Sequence, residues 1–279
     1  MSLAARRIER ADSAGTLDVA LFNAFRDLTL EATGIQLAES KQAMLVTRLS
    51  KRLNALGMSS FHDYLDLVKQ PNEPERRAFI DVVTTNLTYF FREPHHFSVL
   101  QELLRKRAQQ PSALPVRIWS AGCSSGQEPY SLAISVMESG ILKNNQVRIL
   151  CTDIHSEMYR LTARGSFDES GMRGLSDERR KLWFTQAVDG RWVADEALRS
   201  LLICKQLNLF DSWPINPGVD FIFCRNTLIY FDEQSMQMIL RGFASRQNAG
   251  AHLFIGHSER IDGVSDLYCR VDNTVFKRC

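Results

Sequence analysis

Two glycines stand four residues apart in Trp119-Ser120-Ala121-Gly122-Cys123-Ser124-Ser125-Gly126-Gln127-Glu128-Pro129, after a short apolar run and before a helical pattern. A loop placed so lets backbone approach a ligand closely, and Pro129 suits the first helical turn, where its missing amide costs little. The neighbours of the glycines limit what that ligand can be. A triphosphate loop needs Lys and then Ser or Thr after the second glycine; Gln127-Glu128 stands there, and an acid repels phosphate. A dinucleotide site prefers G-x-G-x-x-G, of which two glycines are present. Gly122 to Gly126 also matches G-x-S-x-G, with Asp153 and His257 following in the order of α/β-hydrolases, but no oxyanion loop of the HGGG kind precedes it. Asp153 closes the run Cys151-Thr152-Asp153, where a carboxylate can accept ribose hydroxyls, and Glu128 suits a cationic or amino-bearing group.

The elements that must position these residues follow from patterning. From Leu17 to about Phe91 apolar residues recur at helical spacing: Val19, Leu21, Phe22 and Phe25, then Met44, Leu45, Leu49, Leu53 and Leu56, then Phe61, Tyr64 and Leu65, then Phe79, Ile80 and Val83. Pro71 and Pro74 separate the last two helices. The spacing predicts a loose tail at 1–15, an all-helical domain at 16–92, and a linker helix and loop at 93–115. The helix there runs from about Glu93 to Gln109 and leads into Gln110-Pro111-Ser112-Ala113-Leu114-Pro115. From 116 to 279 short runs rich in branched and aromatic residues alternate with helical stretches, at Val116–Trp119, Gln146–Cys151, Leu201–Cys204, Val219–Cys224 and Ala251–Ile255. That alternation predicts an α/β fold with a mostly parallel sheet covered on both faces, and Tyr268–Arg278 reads as an antiparallel edge strand. Asp189-Gly190, flanked by Phe184–Val188 and Arg191–Ala194, predicts a tight type I′ hairpin in a small β-subdomain near 180–200.

Composition sets the outer bounds. The 279 residues carry 34 Lys and Arg against 32 Asp and Glu, a formal charge of +2. That balance argues against a dedicated nucleic-acid binder. No apolar run approaches the roughly 18 residues of a membrane span, and the basic N-terminus lacks the apolar segment of a secretory signal. The expectation is a cytoplasmic monomer with no membrane insertion. The six cysteines form no C-x-x-C pair and read as reduced core thiols, neither bridges nor metal ligands. His95-His96 looks like a metal pair, yet adjacent helical residues point about 100° apart, so no metal is expected. A nucleoside ligand with positive charge and no phosphate remains, which S-adenosylmethionine satisfies.

Three blocks resemble the bacterial chemotaxis receptor methyltransferases (the CheR family) over nearly the whole chain: Asn86-Leu87-Thr88-Tyr89-Phe90-Phe91-Arg92-Glu93 with His95-His96-Phe97; Ser120 to Ser131; and Phe221-Ile222-Phe223-Cys224-Arg225-Asn226-Thr227-Leu228-Ile229-Tyr230-Phe231. The resemblance implies a class I methyltransferase domain with a seven-stranded, mostly parallel Rossmann-like sheet and an inserted β-subdomain, joined to an N-terminal helical domain. It implies methyl transfer from S-adenosylmethionine to glutamate side chains of chemoreceptor cytoplasmic domains, with S-adenosylhomocysteine as product. The cofactor contacts it implies are Asn86, Thr88, Arg92, Gly122, Glu128, Asp153, Asn208, Leu209, Arg225 and Asn226, and it associates Arg92 and Tyr230 with placing the reacting groups. The rival reading is a non-catalytic module that senses S-adenosylmethionine by binding it.

For the partner, Leu37 to Leu56 reads as one helix with Lys41, Arg48 and Arg52 on a stripe and Lys51 close by. The resemblance implies that this basic face meets the acidic methylation region of the receptor. The short Asp189-Gly190 hairpin predicts a protein that does not depend on a C-terminal receptor pentapeptide.

Overall fold

A computed structural model of the chain describes residues 17–279 apart from 71, 110–113, 144, 262 and 265. The expected tail at 1–15, Pro71, and the 110–113 part of the linker lie outside the described residues. The chain divides into two compact units, Met1–Thr85 and Asn86–Cys279. Asn86, Thr88 and Arg92, which the apolar spacing assigns to the helical domain, therefore belong to the second unit. The reason lies in the backbone: the last helix of the first unit ends at Val83. From Asn86 the chain bonds instead to the second unit, through Asn86 O to Ser124 Oγ, Phe90 N to Arg173 O and Phe91 N to Ser131 Oγ.

The first unit holds helices α1 (Val19–Thr33), α2 (Gln42–Leu56), α3 (Phe61–Val68) and α4 (Pro74–Val83). Asp18 caps α1 by accepting from Leu21 N at 2.7 Å, and Ser60 caps α3. Leu45, Leu49 and Leu53 at four-residue spacing bury fully, in one cluster with Phe25, Tyr64 and Phe79. Each such side chain contributes roughly 1.5–3 kcal/mol of burial. Two residues expected in this core face water instead, Val19 at 71% and Leu56 at 39% exposure, because each sits at a helix end beyond the reach of the apolar stripe.

The basic helix is also shorter than expected. Glu39–Lys41 forms a separate 3-10 turn, and α2 begins at Gln42. Arg48 Nη1 donates to the carbonyls of Val82 at 2.9 Å and Thr84 at 2.6 Å, satisfying the open C-terminal end of α4. Arg52 grips buried Glu75 with Nε at 2.6 Å and Nη2 at 2.5 Å, and the Tyr64 hydroxyl donates to the same carboxylate at 2.9 Å. Of the four cations on the expected docking face, two are internal ties, and Lys41 and Lys51 stay exposed.

The second unit opens with α5 (His95–Ala108) and then alternates β1 (Val116–Ala121), α6 (Gln127–Ser139), β2 (Val147–Asp153) and α7 (Met158–Arg164). An insertion follows: β3 (Ser166–Phe167), α8 (Asp177–Trp183), β4 (Phe184–Gln186), β5 (Trp192–Ala194) and α9 (Glu196–Arg199). The chain ends with β6 (Leu202–Gln206), β7 (Phe221–Cys224), α10 (Glu233–Ala244), β8 (His252–Ile255), β9 (Tyr268–Asp272) and β10 (Val275–Arg278). The sheet runs β6-β2-β1-β7-β8-β10-β9, parallel through β8, with β10 antiparallel to both its neighbours. The expected single edge strand is thus a hairpin. Asp272-Asn273 is the turn signal that the single-strand reading passes over, and the left-handed residue beside it is Thr274 at φ 57.

Apolar clusters cover both faces, one built on Tyr130, Ile118, Ile149 and Phe223, the other on Trp119, Ile222, Leu240 and Phe243. The insertion forms a three-stranded sheet in the order β3-β5-β4. Its hairpin does not close on a type I′ turn, which needs positive φ at both central residues. Only Gly190 (φ 80) of the Asp-Gly pair is left-handed, and Ala187 pairs with Arg191 across a three-residue loop.

One cysteine expectation is overturned. Cys269 and Cys279 are joined as a disulfide with Cα atoms 6.1 Å apart, because the return of β10 along β9 brings the chain end beside Cys269. Cys123, Cys151, Cys204 and Cys224 are free, as expected. No helix among the described residues is long and apolar enough to cross a membrane.

Candidate active site

The glycine loop leaves β1 at its carboxyl end, where open parallel sheets bind ligands. Thr152 O accepts from Gly122 N at 2.9 Å and Cys123 N at 2.8 Å, which pins the loop to the neighbouring strand. Gly122 lies at φ 91, and a Cβ there would come within 2.5 Å of Thr227 Oγ1, so no side chain fits. Gly126, at φ 105, hands the chain to α6.

Asp153, at the end of β2, takes Ser124 N on Oδ2 at 2.8 Å and His155 N on Oδ1 at 2.9 Å. One buried carboxylate thus shapes the loops after β1 and β2 together. Leu207 N donates to Asp153 O at 3.0 Å, bringing the segment with Asn208 and Leu209 to the same edge. Asn208 Oδ1 accepts from Phe210 N at 3.0 Å, while Leu209 is buried in the second apolar cluster. The hydrolase arrangement is absent: Ser124 Oγ donates to Asn86 O, Asp153 binds backbone amides, and His257 pairs with Glu93.

Arg225, immediately after β7, organises the next part. Its side chain is 2% exposed and lies between two carboxylates, with Nη1 3.1 Å from Glu128 Oε2 and Nη2 3.6 Å from Glu93 Oε2. Nη2 also donates to the Arg92 carbonyl, and the guanidinium lies 5.4 Å from the Phe97 ring centroid. Glu128 Oε1 accepts from Ser120 Oγ at 2.7 Å; burial pushes this carboxyl up, opposed by the Arg225 charge and the Ser120 hydroxyl.

Glu93 accepts from His257 Nδ1 at 2.9 Å and from His257 N at 3.3 Å, with Asn226 Nδ2 at 3.5 Å. Burial raises its carboxyl, but the His257 hydrogen bonds and the Arg225 charge outweigh that and hold it at about 2. Glu93 is not among the contacts the resemblance implies. Glu259 follows the last parallel strand in His257-Ser258-Glu259, which reads in the sequence as cleft lining or equally as a turn; it gathers the backbone amides of the turn that begins at Asn226. Glu93 at least lies inside the Asn86–Glu93 block, whereas Glu259 is more than thirty residues from most of its partners.

The remaining expected residues sit around this core. Arg92 Nη1 donates to Leu87 O at 3.1 Å, and its guanidinium lies 5.8 Å from the Tyr89 ring centroid. Thr88 is half-buried in the same strap. Tyr230 ends a 3-10 turn (Leu228–Tyr230) in which Leu228 is the buried residue, so Tyr230 is not the core aromatic its neighbour Phe231 might suggest. Hydrogen bonds join the Asn86–Arg92 strap, the glycine loop, Asp153 and Arg225; Tyr230 shares a turn with Asn226.

The two imidazoles of His95-His96 lie with ring centroids 4.1 Å apart. His96 is fully buried, with Nε2 2.8 Å from Thr274 Oγ1, and no group of three His, Cys, Asp or Glu that could hold a metal occurs among the described residues. Burial first, and then the Arg225 and His95 charges, push the imidazole down to about 3 from its ordinary 6.5. Between those values the unfolded chain carries a proton at His96 that the native state refuses. Stability is therefore full above pH 6.5 and falls on acidification, by about 1.4 kcal/mol per pH unit for one proton. Unfolding free energies from urea curves should therefore fall by about 2 kcal/mol between pH 7 and pH 5, and His96→Leu should shrink that difference; an unchanged difference would remove His96 from the account.

The residues fit S-adenosylmethionine. Two carboxyl groups face one guanidinium, with Asp153 beside the glycine loop, a donor set with acid to spare for a sulfonium and an ammonium. At Gly122 a Cβ would meet Thr227 Oγ1, so the loop presents bare backbone at the carboxyl end of the sheet. A seven-stranded sheet in this order, with a glycine loop after its first strand and an acid closing its second, defines a class I S-adenosylmethionine-dependent methyltransferase. Family models match both units: the CheR methyltransferase SAM binding domain over residues 86–276, and the CheR methyltransferase all-alpha domain over 20–84.

The chain belongs to the CheR methyltransferase family. It is 41% identical to the "Probable chemotaxis protein methyltransferase" of Rhizobium etli over 240 residues, 82% of this chain and 88% of the relative. It is 35% identical to chemotaxis protein methyltransferase 2 of Pseudomonas aeruginosa, covering 91% of each chain. The chemotaxis protein methyltransferase of Salmonella typhimurium is 34% identical, over 93% of this chain and 90% of that one. The protein is a methyltransferase of chemotaxis that uses S-adenosylmethionine.

Proposed function

We propose that this protein methylates glutamate side chains on the cytoplasmic domains of chemoreceptors, giving glutamate methyl esters and S-adenosylhomocysteine in chemosensory adaptation. The observation that carries this reading is that the two domain models of one family cover both units, over 20–84 and 86–276. When bound, S-adenosylmethionine supplies a methyl group on a sulfonium, which a nucleophile can take. A glutamate carboxylate, with an ordinary pKa of about 4.3, is already ionised at neutral pH, so the protein need not remove a proton. Its work is orientation and exclusion of water. Arg225 and Glu128 hold the loop edges together, Asp153 fixes the glycine loop for ribose, and Arg92 and Tyr230 align the reacting groups. Replacing candidate glutamates of a receptor domain by glutamine tests the reading: labelled methyl incorporation should disappear site by site, and incorporation that survives all the replacements would refute it.

The receptor is engaged through the helical unit, in the cytoplasm and by a monomer. Because Arg48 and Arg52 are occupied within that unit, the free part of the basic face is Lys41 and Lys51. Reversing Arg48 or Arg52 would leave buried groups unpaired and confuse binding with unfolding. Lys41→Glu with Lys51→Glu should instead raise the KM for receptor about five- to tenfold at low salt, with cofactor affinity unchanged, and added salt should shrink the difference. Equal KM values for the two proteins would remove this face from the account.

The β-subdomain closes on the short loop at Val188, Asp189 and Gly190, which supports independence from a receptor C-terminal pentapeptide. Calorimetric titration with such a peptide should show no heat of binding; a micromolar isotherm would refute the reading.

A further inference from the structure

Glu259 is not among the contacts the resemblance implies, yet five backbone amides of the described residues donate to its carboxylate. The side chain is buried, and Oε1 accepts from Thr227 N at 2.7 Å, Leu228 N at 2.7 Å and Ile229 N at 3.3 Å. Oε2 accepts from Asn226 N at 2.9 Å and from Gly256 N. Among the described residues no cation pairs with it; its charge is balanced by backbone dipoles alone. Four consecutive amides can converge on one group because Asn226 lies at φ 56, which curls the chain back on itself. Gly256 leaves room for that curl, since a Cβ there would lie 2.9 Å from both Asn226 N and Glu259 Oε2.

The gathered segment runs between Arg225 and Tyr230. Arg225 enters the turn from β7 already committed to Glu128 and Glu93, and Tyr230 leaves it on the 3-10 turn. No other described side chain gathers the backbone between these two residues so completely. We infer that Glu259 is a positioning residue that sets the Arg225–Tyr230 turn, and through it the alignment of cofactor and acceptor, without touching either. The inference rests on the assignment of Arg225, Asn226 and Tyr230 proposed above.

Glu259→Gln keeps the shape but sets an NH2 group against backbone donors. Three readouts test it, compared with Asp220→Asn, a carboxylate that accepts from Arg117 N at the opposite end of β7. Hydrogen exchange in peptides spanning 225–230 should speed up at least tenfold in Glu259→Gln and stay at the wild-type rate in Asp220→Asn. Calorimetric affinity for S-adenosylhomocysteine should fall about tenfold, and kcat about thirtyfold, at a temperature where both variants are folded. Glu259→Asp, which keeps the charge, should recover part of the affinity and serves if the glutamine variant does not fold. Wild-type exchange and affinity in Glu259→Gln, or equal losses in Asp220→Asn, would overturn the inference. The exchange and affinity arms need no methyl acceptor, so they stand or fall separately from the glutamate substrate.

Discussion

Arg225→Met should lose methyl transfer by at least about a hundredfold and lose stability as well. The substitution removes the cation that pairs with both Glu128 and Glu93, each of which the structure places close to the Arg225 guanidinium. Breaking a buried pair by deleting one partner costs about 3–5 kcal/mol, since the remaining charge stays desolvated. Two carboxylates remain here, and they repel each other. The Arg92 carbonyl also loses its donor, so the strap that carries Asn86, Thr88 and Arg92 loosens. Arg225→Lys should not rescue, because an ammonium cannot span Glu128, Glu93 and the Arg92 carbonyl as a planar guanidinium does. Adding Glu128→Gln to Arg225→Met should recover part of the stability, read from urea unfolding, and none of the activity. Recovery of both would mean that Arg225 serves the fold alone.

The second large effect has the opposite signature. Arg92→Ala should lower kcat by about a hundred- to a thousandfold while leaving the unfolding midpoint almost unchanged. The Arg92 contact that holds the site together comes from its backbone carbonyl, which alanine keeps. What is lost is a guanidinium whose hydrogen bond to Leu87 O and whose position near the Tyr89 ring are surface contacts of small energetic weight. Misplacing a reacting group by about 1 Å can cost a hundredfold in rate, which is the scale expected for an orienting side chain. Near-normal methyl transfer by Arg92→Ala would sink its assigned role. A rate loss that only tracks unfolding would sink it equally.

The parts of the site written within a few residues of each other are legible in the sequence. The glycine loop and the acid ending the second strand are local patterns whose spacing carries their geometry, whereas the Asn86–Glu93 segment is marked by the resemblance alone, since apolar spacing assigns it to the helical unit. Glu259 shows the limit: its place in His257-Ser258-Glu259 after a strand allows a cleft or turn role, but its amide partners in the turn lie 30 to 33 positions away and local spacing cannot name them. Arg48 and Arg52 do share one helical face, as their spacing implies, but periodicity cannot show that Glu75 and the carbonyls of Val82 and Thr84 already occupy them. The terminal hairpin is marked only by Asp272-Asn273, with no glycine, and a reading of Tyr268–Arg278 as one strand misses both it and the Cys269–Cys279 bridge that it brings together.

The central claim is that a carboxylate is the methyl acceptor. The direct measurement is to label receptor cytoplasmic domains with tritiated S-adenosylmethionine and this protein, then raise the pH and collect volatile label. Glutamate methyl esters predict release of the incorporated label as methanol in mild base, at a rate of labelling about a hundred- to a thousandfold lower with Arg92→Ala protein. Incorporated label that stays on the receptor in base, as a methyl on nitrogen would, contradicts the account.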